Sequence, residues 1–144
     1  MIYLDTSLVI SYADEKDPNH DAAKRLVERL GGAEKAASRL VLVELASVYA
    51  RAGLEKPLEL ALYSIELAGA RLVEIDFSDT LKQAYKLAPL LRLRTLDLLH
   101  IAACLVMKAT KLATLDQQII QRSHTIKSEL EIEIAYPEGI ATQQ

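Results

Sequence analysis

The chain lacks tryptophan, and it has only one phenylalanine and one cysteine among its 144 residues. A lone thiol, Cys104, cannot form an internal disulfide, so the sequence favours a reducing compartment and predicts a cytoplasmic location. Five glycines and four prolines beside 51% hydrophobic residues exclude a disordered or collagen-like chain. We therefore expect one globular domain that spans residues 1–144.

A surplus of positive charge and a long hydrophobic run are also missing. The chain has 17 basic and 20 acidic residues, and this net charge of -3 argues against binding nucleic acid by bulk charge. Any such binding has to rest on a local site, and the scarcity of Trp and Phe predicts no broad platform for stacking bases. No apolar run approaches the ~20 residues that span a bilayer. The start, MIYLDTSLVI, has an acid at its fifth position and does not resemble a secretory signal.

Short apolar runs alternate with longer helical patterns along the chain. The predicted strands cover residues 2–4, 35–38, 71–75, 111–114 and 131–136. The predicted helices cover residues 17–30, 40–53, 57–69, 78–91, 96–108 and about 117–127. Strands separated by helices indicate βαβ units. The sequence therefore predicts a three-layer α/β/α sandwich with a four- or five-stranded parallel sheet.

Two aspartates follow predicted strands. Asp5 ends the first strand, and Asp116 lies just past the strand at residues 111–114. In open α/β sheets, ligands bind beyond the carboxyl ends of the strands, where the strand order reverses. If the two strands are neighbours, both carboxylates point into one crevice. The alternative is that each aspartate caps the helix that follows it.

Glu44 interrupts the apolar segment LVLVELASV, so it lies on or beside a buried helix face. A buried carboxylate without a partner costs several kcal/mol or becomes protonated. Glu44 therefore either belongs to a functional site or pairs with an arginine such as Arg39 or Arg51.

Asp97 is the only acid of TLDLLHIAACLVM, a segment that is apolar nearly all round and therefore typical of a helix packed inside a domain. Its alternative role is a first-turn carboxylate favoured by the helix dipole, with Thr95 as a cap. His100 follows one turn later. It either hydrogen-bonds the site or packs in the buried face, and packing is the simpler interpretation.

The four acids together suggest a metal site. Two carboxylates ~4 Å apart repel by about 4 kcal/mol at an effective dielectric constant near 20, so a cluster needs protons or cations. Ligand sets made only of oxygen favour Mg²⁺ or Mn²⁺, and the sequence has no Cys/His set at zinc spacing. Such a site suits phosphodiester hydrolysis, because the ion lowers the pKa of the attacking water.

An ordered set of motifs resembles the PIN-domain nucleases, and in particular the single-domain ribonuclease toxins of type II toxin–antitoxin pairs. The motifs are DTS at residues 5–7, Glu44 within LVLVEL, DLLHIAA at 97–103 and TLD at 114–116. The resemblance extends from residue 1 to about residue 136 and implies the α/β/α fold inferred above.

The resemblance also implies an activity and its residues. Family members typically cleave single-stranded RNA with Mg²⁺ or Mn²⁺. The toxins usually form homodimers, and an antitoxin segment laid over the active groove silences them. The hydroxyls of Thr6 and Thr114 match positions that hold the acids or a water molecule. The residues that match the catalytic, metal-binding quartet are Asp5, Glu44, Asp97 and Asp116.

One departure concerns the second metal. Gln117 and Gln118 stand where some members have a further acid, so single-metal occupancy is consistent with this sequence. Candidate contacts to RNA phosphates are Arg39, Arg92 and Arg94, since guanidinium groups donate in pairs. Exposed basic loop positions are the alternative for these arginines.

Other functions remain open from the residues alone. An aspartyl-phosphate hydrolase or a receiver domain also places an Asp at a strand end, as Asp5 is. The hydrolase pattern requires a second Asp where Ser7 stands, and residues 2–4 leave no room for the receiver's paired acids. A PIN-like binding module without catalysis is a further alternative. Glycine-rich nucleotide-binding motifs are absent from the sequence.

Overall fold

Short parallel strands form the centre of the structure, a computed structural model that describes residues 1–138. The strands are β1 (Ile2–Leu4), β2 (Lys35–Ala37), β3 (Ala70–Leu72), β4 (Lys111–Ala113) and β5 (Glu133–Ala135). They pair in the order β3-β2-β1-β4-β5, and every pair is parallel. This confirms the predicted α/β/α architecture, with five strands.

Helices connect the strands. They are α1 (Thr6–Ala13), α2 (His20–Leu30), α3 (Arg39–Arg51), α4 (Pro57–Leu67), α5 (Phe77–Leu91), α6 (Thr95–Met107), α7 (Gln117–Ile120) and α8 (Ser123–Leu130). α6 packs against α5 and β4 and is buried along most of its length, as its apolar sequence predicts. α2 ends at Gly31, whose φ of 62° glycine adopts without steric cost. No helix within residues 1–138 is long and apolar enough to cross a membrane.

The structure corrects three predicted elements. Residues 6–13 form α1, which was not assigned from the sequence because the apolar residues of this segment show little helical periodicity. The helix expected at about 117–127 is two helices, α7 and α8, which are separated near Arg122. The third strand ends at Leu72, well before residue 75. The pairing with β2 ends at Ala37, whose carbonyl accepts from the N–H of Val73, because the next residue, Ser38, already caps α3.

Candidate active site

The strand order reverses between β1 and β4, and two of the acids lie at that point. β1 continues towards β2 and β3 on one side, whereas β4 and β5 lie on the other. Asp5 follows β1, and its backbone N–H donates to the carbonyl of Ala113 at 3.0 Å. Asp116 follows β4 as the N-cap of α7. The fold therefore places both acids at the edge of the sheet where α/β proteins bind ligands.

Hydroxyl groups hold Asp5 from two sides. Its Oδ2 accepts from Ser7 Oγ at 2.8 Å and from Thr114 Oγ1 at 2.7 Å, and the residue is 4% exposed. Asp5 occupies the N-cap position of α1 but makes no side-chain capping bond, so the capping alternative is wrong for this residue. Ser7 was missed in the sequence, although a hydroxyl in the first helical turn can reach back to the acid before it. Ser7 Oγ also accepts from the N–H of Leu115 at 3.0 Å.

Glu44 is held by a hydroxyl and an imidazole. Its Oε1 accepts from Thr6 Oγ1 at 2.8 Å and from Nε2 of His100. Burial acts to raise the pKa of the carboxyl, but the hydrogen bond and charge of His100, together with the Thr6 bond, hold the pKa below its ordinary value. The arginine alternative is wrong. Arg39 pairs with the exposed Glu74 at 2.5 Å, and Arg51 bonds its own helix backbone.

His100 lies between two of the acids and is 2% exposed. Besides contacting Glu44, its Nε2 lies 3.6 Å from Asp5 Oδ1. Burial opposes charge on the ring, but the carboxylates of Asp5 and Glu44 outweigh burial and raise the pKa of His100. Simple packing is therefore the wrong interpretation of this histidine, because it contacts acids of the site.

Asp97 is buried, and in the described part of the chain one of its carboxylate oxygens lacks a hydrogen-bond partner. The residue is 7% exposed, and its Oδ2 is one of the buried oxygens within residues 1–138 that lack a hydrogen bond. The nearest cation is the exposed Arg94, whose Nε lies 3.9 Å from Oδ2. Burial, followed by the charges of Asp116 and Asp5, raises the pKa of the Asp97 carboxyl to about 6. Thr95 does not cap α6, because it is the first residue of that helix.

A pocket of about 440 Å³ collects three of the acids. Glu44, Asp97 and Asp116 line it, and the charge of Asp5 acts on Asp97 from the adjoining strand end. Asp116 also caps α7, because its Oδ1 accepts from the N–H of Gln118 at 2.8 Å. For Asp116 the capping alternative is therefore correct and does not conflict with a place in the pocket.

The family assignment rests on a match over most of the chain. The PIN domain family model matches residues 2–124. The chain belongs to the PIN-domain family. No curated protein matches the sequence. The receiver alternative is wrong on topology as well, because receivers order their strands 2-1-3-4-5 whereas this PIN domain has the order 3-2-1-4-5.

Solved structures with the same fold include several toxin–antitoxin proteins. VapBC2 from Rickettsia felis, bound to a DNA fragment from its promoter, aligns with a TM-score of 0.63 at 19% identity over 93% of this chain and 97% of that one. VapC20 from Mycobacterium tuberculosis, a toxin that cleaves the sarcin–ricin loop, aligns with a TM-score of 0.64 at 19% identity over 92% of this chain and 99% of that one. VapBC-1 from nontypeable Haemophilus influenzae aligns with a TM-score of 0.64 at 18% identity over 94% of this chain and 98% of that one.

The arginines singled out in the sequence are placed differently around this PIN domain. Arg94 lines the acid pocket. Arg92 ends α5 in a left-handed conformation, with φ of 53°, and is exposed. Arg39 lines a neighbouring groove of about 480 Å³, which we call the apolar groove. The apolar groove is lined by Arg39, Leu40, Val43, Glu44, Glu74, Ile75, Phe77 and Leu96. Arg94 is therefore the arginine nearest the acids.

The carboxylate oxygens of Asp5, Glu44, Asp97 and Asp116 are of the chemical kind that hard divalent ions prefer. No three His, Cys, Asp or Glu side chains within residues 1–138 are arranged to hold a metal as they stand. Asp97 nevertheless has a buried, unbonded oxygen, and burial together with the charges of Asp116 and Asp5 raises the pKa of its carboxyl. A cation would satisfy that oxygen and offset the repulsion.

Without metal, the PIN domain should become more stable as the pH falls from about 8 to about 5. The pKa of Asp97 is about 6 in the folded chain against an ordinary 3.8, so its charge opposes folding above that pH. The raised pKa of His100 acts in the same direction, because its charged form stabilises the fold at low pH and is lost as the pH rises. The gain in stability ends as the pH falls to the ordinary pKa of Glu44. The folded chain holds the pKa of Glu44 below that value, so protonating Glu44 costs stability.

Thermal unfolding in EDTA measures this effect. Asp97→Asn should be more stable than the wild type at pH 8 by about 1–2 kcal/mol, because solvent screens part of the repulsion, and its pH profile should be flatter. Wild-type stability that rises from pH 5 to pH 8 would contradict the assigned charge balance.

Proposed function

We propose that this PIN domain is a metal-dependent endoribonuclease that hydrolyses phosphodiester bonds of single-stranded RNA. The observation that carries the proposal is the buried, unbonded oxygen of Asp97 in a pocket shared with Glu44 and Asp116. A structural acid normally has its hydrogen bonds satisfied. An acid kept charged or half-protonated beside other acids is typical of a functional site.

The metal-binding residues of the proposal are Asp5, Glu44, Asp97 and Asp116. Mg²⁺ or Mn²⁺ bound there supplies a water molecule of lowered pKa and neutralises charge on the phosphate. The chain itself orients the ligands: Ser7 and Thr114 fix Asp5, and Thr6 fixes Glu44. Such outer partners typically change metal affinity or activity by about 10–100-fold.

The apolar groove beside the acids favours a second candidate function, a binding module without catalysis. Cleavage of a labelled single-stranded RNA in Mg²⁺ or Mn²⁺ separates the two functions. Cleavage that EDTA abolishes supports the nuclease, whereas RNA left intact by pure protein in either ion supports the binding module.

We further propose that the protein is the toxin of a toxin–antitoxin pair. VapBC complexes are among the structures with the same fold. The apolar groove adjoins the acid pocket through Glu44 and Leu96, so an antitoxin segment bound there would lie over the acids. A neighbouring gene product that blocks cleavage in stoichiometric amount tests this. The homodimer and the cytoplasmic location stay predictions.

Arg94→Ala should raise KM for RNA several-fold and leave kcat nearly unchanged. Its guanidinium lines the acid pocket, is exposed, and lies 3.9 Å from Asp97, so it is free to meet a phosphate. Arg71→Ala is the matched control, because Arg71 is an exposed residue of the edge strand β3 and pairs with Glu34. Steady-state kinetics at two salt concentrations measure the effect. Equal KM values for the two variants would exclude Arg94 as a phosphate contact.

A further inference from the structure

A row of buried hydrogen-bonding groups leads from Glu44 into the core. His100 contacts Glu44 through Nε2, and its other nitrogen, Nδ1, lies 2.7 Å from the hydroxyl of Tyr3. The same hydroxyl lies 2.8 Å from Ser38 Oγ. Tyr3 and Ser38 are 0% exposed, so water does not compete for these bonds. The row therefore joins β1, α6 and the start of α3, the helix that carries Glu44.

The chemistry of the groups determines which atom donates in each hydrogen bond of this row. A carboxylate only accepts, so Nε2 of His100 carries the hydrogen that faces Glu44. When the ring is neutral, Nδ1 accepts and the Tyr3 hydroxyl donates to it. When the ring is charged, Nδ1 donates and the same hydroxyl accepts. A hydroxyl thus keeps its bond to the ring in both states of the histidine.

Ser38 links this row to α3. Its Oγ accepts from the N–H of Leu40 at 3.2 Å and so caps the helix. The Tyr3 hydroxyl is therefore held between the beginning of the helix that bears Glu44 and the ring that contacts Glu44. Tyr3 also precedes Asp5 by two residues, so β1 positions both groups.

We propose that Tyr3 is a positioning residue of the active site: its hydroxyl fixes the His100 ring so that Nε2 orients Glu44 for metal binding. This inference rests on the proposed function. A phenylalanine would fill the same volume in the core, so packing alone does not require the hydroxyl. The contact is indirect, because Tyr3 acts on Glu44 only through the imidazole.

Tyr3→Phe tests the inference, with Tyr49→Phe as the matched control. Tyr49 lies at the other end of α3, and its hydroxyl is 2.8 Å from Ser64 Oγ, so the control loses an equivalent tyrosine–serine bond away from the acids. We expect Tyr3→Phe to raise the Mn²⁺ concentration for half-maximal effect and to lower kcat, each roughly 10-fold, with KM for RNA unchanged. Tyr49→Phe should leave all three unchanged.

Two readouts do not depend on cleavage. Mn²⁺ affinity is measured by thermal shift, and the ¹⁵N shifts of the His100 ring by NMR in EDTA. Tyr3→Phe should weaken the affinity and move the Nδ1 shift, and Tyr49→Phe should do neither. If the wild-type protein binds Mn²⁺ but does not cleave RNA, the proposed nuclease function is overturned. The Mn²⁺ affinity of Tyr3→Phe relative to the wild type still decides the role of Tyr3. An unmoved Nδ1 shift, or unchanged Mn²⁺ affinity, overturns the inference.

Ser38→Ala is a second variant in case Tyr3→Phe does not fold. It removes the outer hydroxyl and the side-chain cap of α3 but leaves Tyr3 beside His100, so the Mn²⁺ requirement should rise by less than in Tyr3→Phe. An Mn²⁺ requirement equal to that of the wild type would then contradict a positioning role for this row of hydroxyls.

Discussion

Asp5→Asn should abolish RNA cleavage, with a loss of 100-fold or more, and leave the protein folded. Asp5 adjoins both Asp97 and Glu44's histidine partner, so removing its charge removes a central ligand of the proposed ion. Ion stabilisation of the reacting phosphate amounts to several kcal/mol, and each ~1.4 kcal/mol corresponds to tenfold in rate. The amide oxygen of asparagine can still accept from Ser7 and Thr114, which preserves the local structure.

The matched control for this substitution is Glu133→Gln. Glu133 begins β5 at the opposite end of the sheet, in an exposed pair with Lys111, so the substitution removes the same charge without touching the acids. Cleavage is measured under single-turnover conditions in Mn²⁺, and folding by circular dichroism. Asp5→Asn protein that retains wild-type cleavage would overturn the nuclease proposal, provided that both variants give native spectra.

Mn²⁺ should raise the melting temperature of the protein, and EDTA should reverse the change. An ion that binds only the folded chain stabilises it by about 2.7 kcal/mol at 100 times its Kd. For a chain of this size, that corresponds to roughly 8–11 °C. The physical source is the unbonded oxygen of Asp97 and the repulsion that raises its pKa. Differential scanning calorimetry over a range of Mn²⁺ concentrations measures the shift.

Asp97→Asn serves as the diagnostic variant for metal binding. In EDTA it should melt above the wild type, because the repelled charge is gone, yet it should gain little from Mn²⁺. Glu133→Gln should keep the full response. An equal Mn²⁺ response in the wild type and in Asp97→Asn would mean that the ion binds elsewhere on the surface and would remove the support for this site.

The sequence predicted the positions of Asp5 and Asp116 because both follow short apolar runs, and parallel strands bring their carboxyl ends to one edge. That β1 pairs with β4 is a long-range fact, and nothing in either three-residue strand specifies it. The positions of Glu44 and Asp97 in helices also followed from pattern, since an acid in an apolar helix is costly without a role.

The hydrogen bonds around the acids were harder to predict. Ser7 contacts Thr114 and Leu115, which lie more than a hundred residues away, so no local signal reveals the bond. In the sequence Tyr3 looks like an ordinary core residue of a strand, and only the folded positions of Ser38 and His100 show that its hydroxyl has partners. Local patterns thus predicted the acids, whereas the residues that orient them depend on the tertiary structure.

The order of the strands determines when, during translation of the chain, the four acids can come together. The acids come from the beginning, middle and later part of the chain, and β4 inserts beside β1 only after more than a hundred residues have been made. A nascent or truncated polypeptide that stops before residue 111 lacks Asp116 and lacks β4, so β1 has β2 as a neighbour on one side only. Under the proposed function, cleavage activity would thus arise in one late step, when β4 joins the sheet, and incomplete translation products would not cleave RNA.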